Sequence, residues 1–391
     1  MNIESAFHLA SQKNAPELLD NRSANERAIL TLIRQRIALP KAEIAQLTGL
    51  SAQSATVIIK KLESDGLVKR LTPIKGGVGQ PKVPFGLNAN GAFSIGLKIG
   101  RRSFDMTLLD LKGKVKATLN EKFAYPTVSN LLNFAERAFN VLTKSLDTAQ
   151  QSLVRGLGIA MPFEIWSWAE EAGAPKKELD EWKEFDPQST LERLLSLPVF
   201  IRNDAGAACS AEMSFGNPKR FESFLYIFVG TFLGGGLVLN NQLINGKTGN
   251  AGAIGSLPFF SQNKQRQLIT QSSLYLLERK LNEVGENANH IYESPSHWQC
   301  DESIVEAWIG ETAKGLAFAS QCAMSLLDLD GVIIDGAIPS NIKELLVEKT
   351  QTALKQIDMR GITPARISPG HVGVKAQSIG SANLALQANY F

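Results

Sequence analysis

Between residues 51 and 61 the chain sets Ser51, Gln53, Ser54, Thr56, Lys60 and Lys61 along SAQSATVIIKK, a segment whose apolar residues recur at helical spacing. Short hydroxyls and a carboxamide are the groups that pair with base edges: Gln with adenine, Ser and Thr with several bases. Lys60 and Lys61 can neutralise phosphates. A helix fits the major groove of a duplex, so the chemistry implied here is non-covalent readout.

The flanking segments supply the scaffold for such a helix. NERAILTLIRQR places Ile29, Leu30, Leu32 and Ile33 on one helical face, and PKAEIAQLTGL adds Ile44, Ala45 and Leu47 before a turn at Gly49. Ser51 stands where an N-cap belongs. Val57, Ile58 and Leu62 are expected to face inward from the last helix, which Gly66 ends. LVKRLTPIKGGVGQPKVPFGLN then predicts two strands joined by a glycine-rich tip. Residues 25–88 therefore predict a winged helix-turn-helix, preceded at 1–24 by an arm or a docking helix. Lys75 and Lys82 are expected on the DNA backbone with the two helix lysines, and the tip, including Gly77 and Gln80, in a minor groove.

Charge agrees with this placement. Residues 1–90 hold twelve Lys/Arg against seven Asp/Glu, a net of +5, whereas the whole chain is +3, which leaves −2 for the rest. Positive charge is concentrated where the groove-reading helix lies. The 391 residues, 44% hydrophobic and 20% charged, fit a soluble protein of two or three domains. The polar N-terminus shows no signal peptide, and the longest apolar runs are broken by glycine, so no membrane segment is expected. Cys209, Cys300 and Cys322 are too widely spaced for a disulfide framework or a metal knuckle, and a cytoplasmic setting is expected.

From about residue 89 strands alternate with helices. Residues 92–123 predict three strands with turns at Gly100-Arg101-Arg102 and Lys112-Gly113, and 191–216 predict helix, strand, tight turn, helix. Mixed sheets flanked by helices, twice over, imply an α/β body of two lobes. Six segments then stand in an ordered series: Gly158–Pro162 (GIAMP), Arg202–Cys209 (RNDAGAAC), Val229–Gly236 (VGTFLGGG), Asn240–Gly255 (NNQLINGKTGNAGAIG), Val332–Ala337 (VIIDGA) and Ile379–Leu386 (IGSANLAL). From residue 25 onward this order resembles the ROK family, which groups sugar-responsive repressors with sugar kinases. The winged unit in front resembles the repressor branch. The resemblance implies a multidomain α/β chain: the winged helix-turn-helix, then a two-lobed, actin-like (RNase H-like) ATPase fold over 89–391. Lobe one is expected at about 89–205 plus the C-terminal helix at about 378–391, and lobe two at about 206–377.

Set against the family's kinases, the catalytic parts are altered. Their phosphate turn, an acid followed by x-Gly-Gly-Thr, stands here as Lys98-Ile99-Gly100-Arg101-Arg102. An amine replaces the carboxylate that helps position metal, so phosphoryl transfer is not expected. The adenosine-side glycine cluster is reduced to Asp335-Gly336-Ala337. Asp204, the kinases' general base, can still accept hydrogen bonds from a polyol, with Asn203, Asn250 and Gly252 of GNAG beside it; the alternative is that Asn203-Asp204 caps the following helix. Ala253 and Ser256 stand where a Glu and a His are expected, and no cysteine cluster for zinc follows. Trp166 could stack on a sugar face and Glu164 accept hydroxyls, while Trp166, Trp168 and Trp182 serve equally well as core.

The reading is a non-enzymatic repressor of a carbohydrate or polyol operon, without cofactor or metal. It would bind double-stranded operator DNA as a homodimer or tetramer and sense a sugar or polyol. The alternatives are an active sugar kinase, or a regulator answering to a protein partner alone.

Overall fold

The computed structural model describes residues 20–74, 82–168, 174–217, 221–261 and 264–391. Helix α1 (Ala24–Arg36) begins with a reciprocal cap: Ser23 accepts the Glu26 N–H while the Glu26 carboxylate takes the Ser23 N–H. It ends at Ile37, a β-branched residue held at φ 69°. Strand β1 (Ala38–Pro40) leads into α2 (Lys41–Thr48), which Gly49 closes in the left-handed conformation. Helix α3 (Ala52–Ser64) follows, capped by Ser51 as the sequence predicts. Strands β2 (Val68–Arg70) and β3 (Pro84–Leu87) complete a three-stranded antiparallel sheet in the order β1-β3-β2. A further bridge, Ile74 to Lys82, carries the pairing outward toward the predicted tip.

Strands β4 (Phe93–Ile99), β5 (Ser103–Asp110) and β6 (Val115–Lys122) form an antiparallel meander. Helix α4 (Val128–Lys144) crosses over to β7 (Val154–Met161), and α5 (Pro187–Leu195) leads to β8 (Val199–Asn203). The sheet order is β6-β5-β4-β7-β8, with β4 and β7 parallel.

The same plan then recurs. After α6 (Asp204–Phe215) come β9 (Phe224–Val229), β10 (Leu233–Leu239) and β11 (Gln242–Ile244). A two-stranded ribbon, β12 (Pro258–Ser261) and β13 (Lys264–Gln267), precedes helices α7 (Leu274–Glu283) and α8 (Glu302–Leu327). Strand β14 (Gly331–Gly336), α9 (Ser340–Leu354), β15 (Arg366–Pro369) and α10 (Ala376–Tyr390) finish the chain. The second sheet reads β11-β10-β9-β14-β15, again beginning with three antiparallel strands; here β14 runs parallel to β9 and β15 parallel to β14. A strand order repeated in this way is the doubled α/β plan that the alternating sequence pattern implies.

Among the described residues, one compact unit contains 20–161, 174–202 and 381–391, and the other contains 162–168 and 203–380. In the first unit the winged helix is not a bead on a linker. Ile29, Leu30, Ile33, Ile59, Leu62 and Phe85 share one buried cluster with Ala92, Leu111, Leu386 and Tyr390. Arg27 donates to the carbonyls of Ala388 (2.6 Å) and Gln387 (3.0 Å), and the Arg34 guanidinium lies 3.7 Å from the centroid of the Phe391 ring. Gly96 and Gly158 are required beside this helix: a Cβ would stand 2.2 Å from Ala382 N or 1.8 Å from Ser381 O.

Candidate functional site

Helix α3 buries Ala55, Ile59 and Leu62 and turns Gln53, Ser54, Lys60 and Lys61 to solvent; Thr56 is half-buried. Ser51 accepts the Ser54 N–H at 3.1 Å, and its own hydroxyl donates to Ser54 Oγ at 2.9 Å. The Ser51 oxygen is thus committed to starting the helix, and Ser54 keeps a hydrogen free to donate. One expectation is corrected. Val57 does not face inward but is 62% exposed, because the packed stripe runs through Ala55, Ile59 and Leu62 and Val57 lies opposite it. Of the apolar residues of α2, Ile44 and Ala45 are buried and Leu47 is 51% exposed.

An ionic cluster that sequence reasoning missed ties α3 to α1. Buried Glu26 takes an ion pair from Lys61 at 2.8 Å and lies 3.5 Å from Arg22. Arg22 also reaches Asp20 and Asp65, the residue that ends α3. Burial alone would raise the Glu26 carboxyl, but hydrogen bonds from Lys61 and Ser23 outweigh it and hold the group at about 2. Lys61 is therefore a positioning residue as well as an exposed cation. The signals were in the sequence: a Ser-x-x-Glu box at Ser23–Glu26 and an Arg22/Glu26 pair one turn apart.

Beside the wing strands, Pro40, Lys41, Glu43, Arg70, Lys82 and Phe85 line a groove of about 490 Å³. Lys41 and Arg70 sit 5.2 and 5.9 Å from the Phe85 ring centroid, a cation–π arrangement. Arg70 is also paired with Glu63, and Lys82 lies 3.8 Å from Glu43. Lys82, expected to contact the DNA backbone, lines this groove together with Lys41 and Arg70, which the sequence did not single out. Lys75, Gly77 and Gln80 lie outside the described residues.

Near the segments matched to a kinase's nucleotide turns, charged side chains pair with one another in each unit. Between β4 and β5, Lys98 pairs with Asp105 at 3.1 Å, and Ser103 and Asn120 add hydrogen bonds to the same carboxylate. Burial opposes ionisation of Asp105, but Lys98 and these donors hold its pKa below the ordinary value. In the other unit Asp335 is fully buried. It accepts from Tyr226 Oη (3.0 Å), Lys343 Nζ (3.0 Å) and Gly373 N (2.9 Å). Burial, with the Asp335 charge next, pushes the Tyr226 phenol well up.

The residues expected to meet a sugar lie in this second unit. Asn203 Oδ1 accepts from Ala205 N (3.1 Å) and Gly206 N (3.3 Å), so the capping role is realised and only its amide nitrogen remains for a ligand. Asp204 is half-buried and accepts from Gln377 Nε2 at 3.1 Å, a partner 173 residues away that no local pattern announces. Asn250 is half-buried, while Gly252, at φ 81°, packs so closely on Gly235 and Gly236 that a side chain would collide. Glu164, at φ 47°, takes a hydrogen bond from Ser167, and Trp166 is half-buried. Trp182 is core: 1% exposed, its indole donates to the Pro126 carbonyl. No helix among the described residues is long and apolar enough to cross a membrane.

Comparison with known proteins agrees with this geometry. Residues 23–73 match the MarR family model and residues 94–266 the ROK family model. An uncharacterised protein of Sinorhizobium fredii, y4fQ, is 24% identical over 93% of the chain and 91% of its own length. The xylose repressor of Bacillus subtilis is 23% identical over 60% of each chain. Among solved structures, a ROK family transcriptional regulator described as a homologue of the Escherichia coli MLC protein superposes with a TM-score of 0.65 at 20% identity, covering 94% of this chain and 96% of its own. The chain thus carries a MarR-like segment ahead of a ROK-like one, on the α/β fold seen in a ROK family transcriptional regulator.

Proposed function

We propose that the protein is a DNA-binding transcriptional repressor whose ROK body senses a sugar or polyol and carries out no phosphoryl transfer. The observation that carries this reading is the solvent face of α3, where Gln53, Ser54 and Lys60 project beside the cations of the wing strands. A single short helix covers few base pairs, so a dimer would engage two half-sites one or more helical turns apart, each turn about 34 Å. The matched xylose repressor supports assigning the response to a carbohydrate operon.

These paired charges support the non-enzymatic part. A nucleotide triphosphate needs a carboxylate-held metal and a backbone cradle. At the corresponding turns stand an ammonium paired to Asp105 and a carboxylate already saturated by three donors. Asp204, with Gln377 and the Asn203 amide, is the effector-binding group of first choice.

Titration of fluorescent promoter fragments, including those flanking the protein's own gene, at fixed salt tests the DNA assignment. Specific binding well above that to random duplex is expected, and indifference to every fragment refutes it. Thermal shift over a sugar and polyol panel tests the sensor, because a ligand of the native state raises the melting temperature. A coupled assay showing ATP consumption with any of those sugars refutes the loss of catalysis.

A further inference from the structure

Val57 is the one apolar side chain at the centre of the outward face of α3. Gln53 precedes it by one turn, Lys60 and Lys61 follow by one turn, and all three are exposed. Ala55, Ile59 and Leu62 complete the helix's packing without it. A β-branched residue is also a poorer helix former than the polar straight chains around it, so neither packing nor propensity accounts for valine here.

The major groove has one apolar feature, the C5-methyl group of thymine. We infer that Val57 reads a thymine methyl in the operator, next to or within the A·T pair whose adenine Gln53 addresses. The inference rests on the DNA-binding reading above and adds base identity to it. Residues i and i+4 of a helix stand about 5–6 Å apart. Adenine N6/N7 and its partner's methyl share one base-pair edge, so Gln53 and Val57 can serve a single pair or two neighbouring ones. Valine suits the task because one χ1 rotamer dominates in a helix, and little side-chain freedom is lost on contact. A mostly exposed methyl pair on the protein meets an exposed methyl on the DNA, and both leave water together.

The experiment uses the full-length protein and an operator found by the promoter titration. Each thymine of one half-site is replaced in turn by deoxyuridine, which lacks only the methyl, and affinity is read by fluorescence anisotropy at fixed salt. At one position the wild type should lose about fourfold, the factor equivalent to ~0.8 kcal/mol for one buried methyl. Val57→Ala, a substitution at an exposed position that favours helix, should bind the thymine operator about as weakly as the wild type binds the uridine one. It should also no longer distinguish the two. Tight operator binding with no methyl-sensitive position, or sensitivity that persists undiminished in Val57→Ala, overturns the assignment and leaves the repressor reading standing. Absence of specific binding to any duplex overturns both.

Discussion

Replacing Glu26 by Gln isolates the ion pair that fixes α3 to α1. Glutamine keeps the size of the side chain and an oxygen for the Ser23 N–H, so the capping box survives. What is lost is the charge facing Lys61 at 2.8 Å and Arg22 at 3.5 Å. The carboxyl lies at about 2 in the folded protein against an ordinary 4.5. A gap of about 2.5 units corresponds to a ceiling of about 3.4 kcal/mol at neutral pH. Lys61 is 60% exposed, so solvent screens its half of the pair, and about 1–2 kcal/mol is the expected loss. Because the folded value lies below the unfolded one, the contribution is complete above about pH 4.5 and disappears as pH falls toward 2. At pH 3 less than half should remain. The tryptophans all lie outside residues 20–90, so hydrogen exchange followed by mass spectrometry is the better probe. Protection of 24–36 and 52–64, corrected for the intrinsic pH dependence of exchange, is compared between wild type and Glu26→Gln from pH 7 to pH 3. A difference that narrows with acid supports the ion pair. A difference of constant size would assign it to packing and refute the electrostatic account.

Three further outcomes are expected. Ile37→Gly should raise the stability of the winged helix by about 1 kcal/mol in the same exchange measurement, since relief of a strained φ outweighs the added chain entropy; Ile37 is 78% exposed and loses no burial. Arg27→Ala should cost about 1–3 kcal/mol, because two carbonyls of α10 lose a charged donor; exchange should quicken in 24–36 and 381–390 together, and quickening of the first segment alone would deny the coupling. Lys60→Ala should lower the salt dependence of operator binding by about one unit without changing base preference, measured by anisotropy across a salt series.

The sequence carried the parts of this protein that depend on local pattern. The Ser51 cap, the strand-turn-strand series from Phe93 to Lys122 and the Asn203 cap all follow from neighbours within a few residues. Side-chain facing was less secure. The run Val57-Ile58-Ile59 offers three apolar residues in succession, and the helical phase alone does not say which one the α1 packing will choose. Long-range partnerships left no trace at all: Gln377 on Asp204, Lys343 on Asp335 and Phe391 under Arg34 join residues that only the fold brings together. Lys343 is 8 residues from Asp335 in the chain, yet their meeting depends on β14 turning into α9 beneath Gly370.

That last arrangement bears on how a kinase-like backbone could serve a protein that transfers no phosphate, as proposed above. The strand order of both sheets is kept, so the turns a nucleotide would need remain in outline. What changes is their charge. Lys98 stands at a position where kinases of the family keep an acid, and Asp105 neutralises it from the next strand. Reversal by Lys98→Asp would therefore not restore a metal site. It would set two carboxylates on neighbouring strands, at positions paired directly across the β4–β5 ladder. Like charges directly opposite are destabilising, and Asp105 would also lose its counter-ion. The variant should unfold at lower temperature than wild type at pH 7, recover part of the loss as acid protonates one carboxyl, and consume no ATP with any sugar. Turnover by that single substitution would mean that the remainder of the catalytic machinery is intact, and would return the protein to the enzymes.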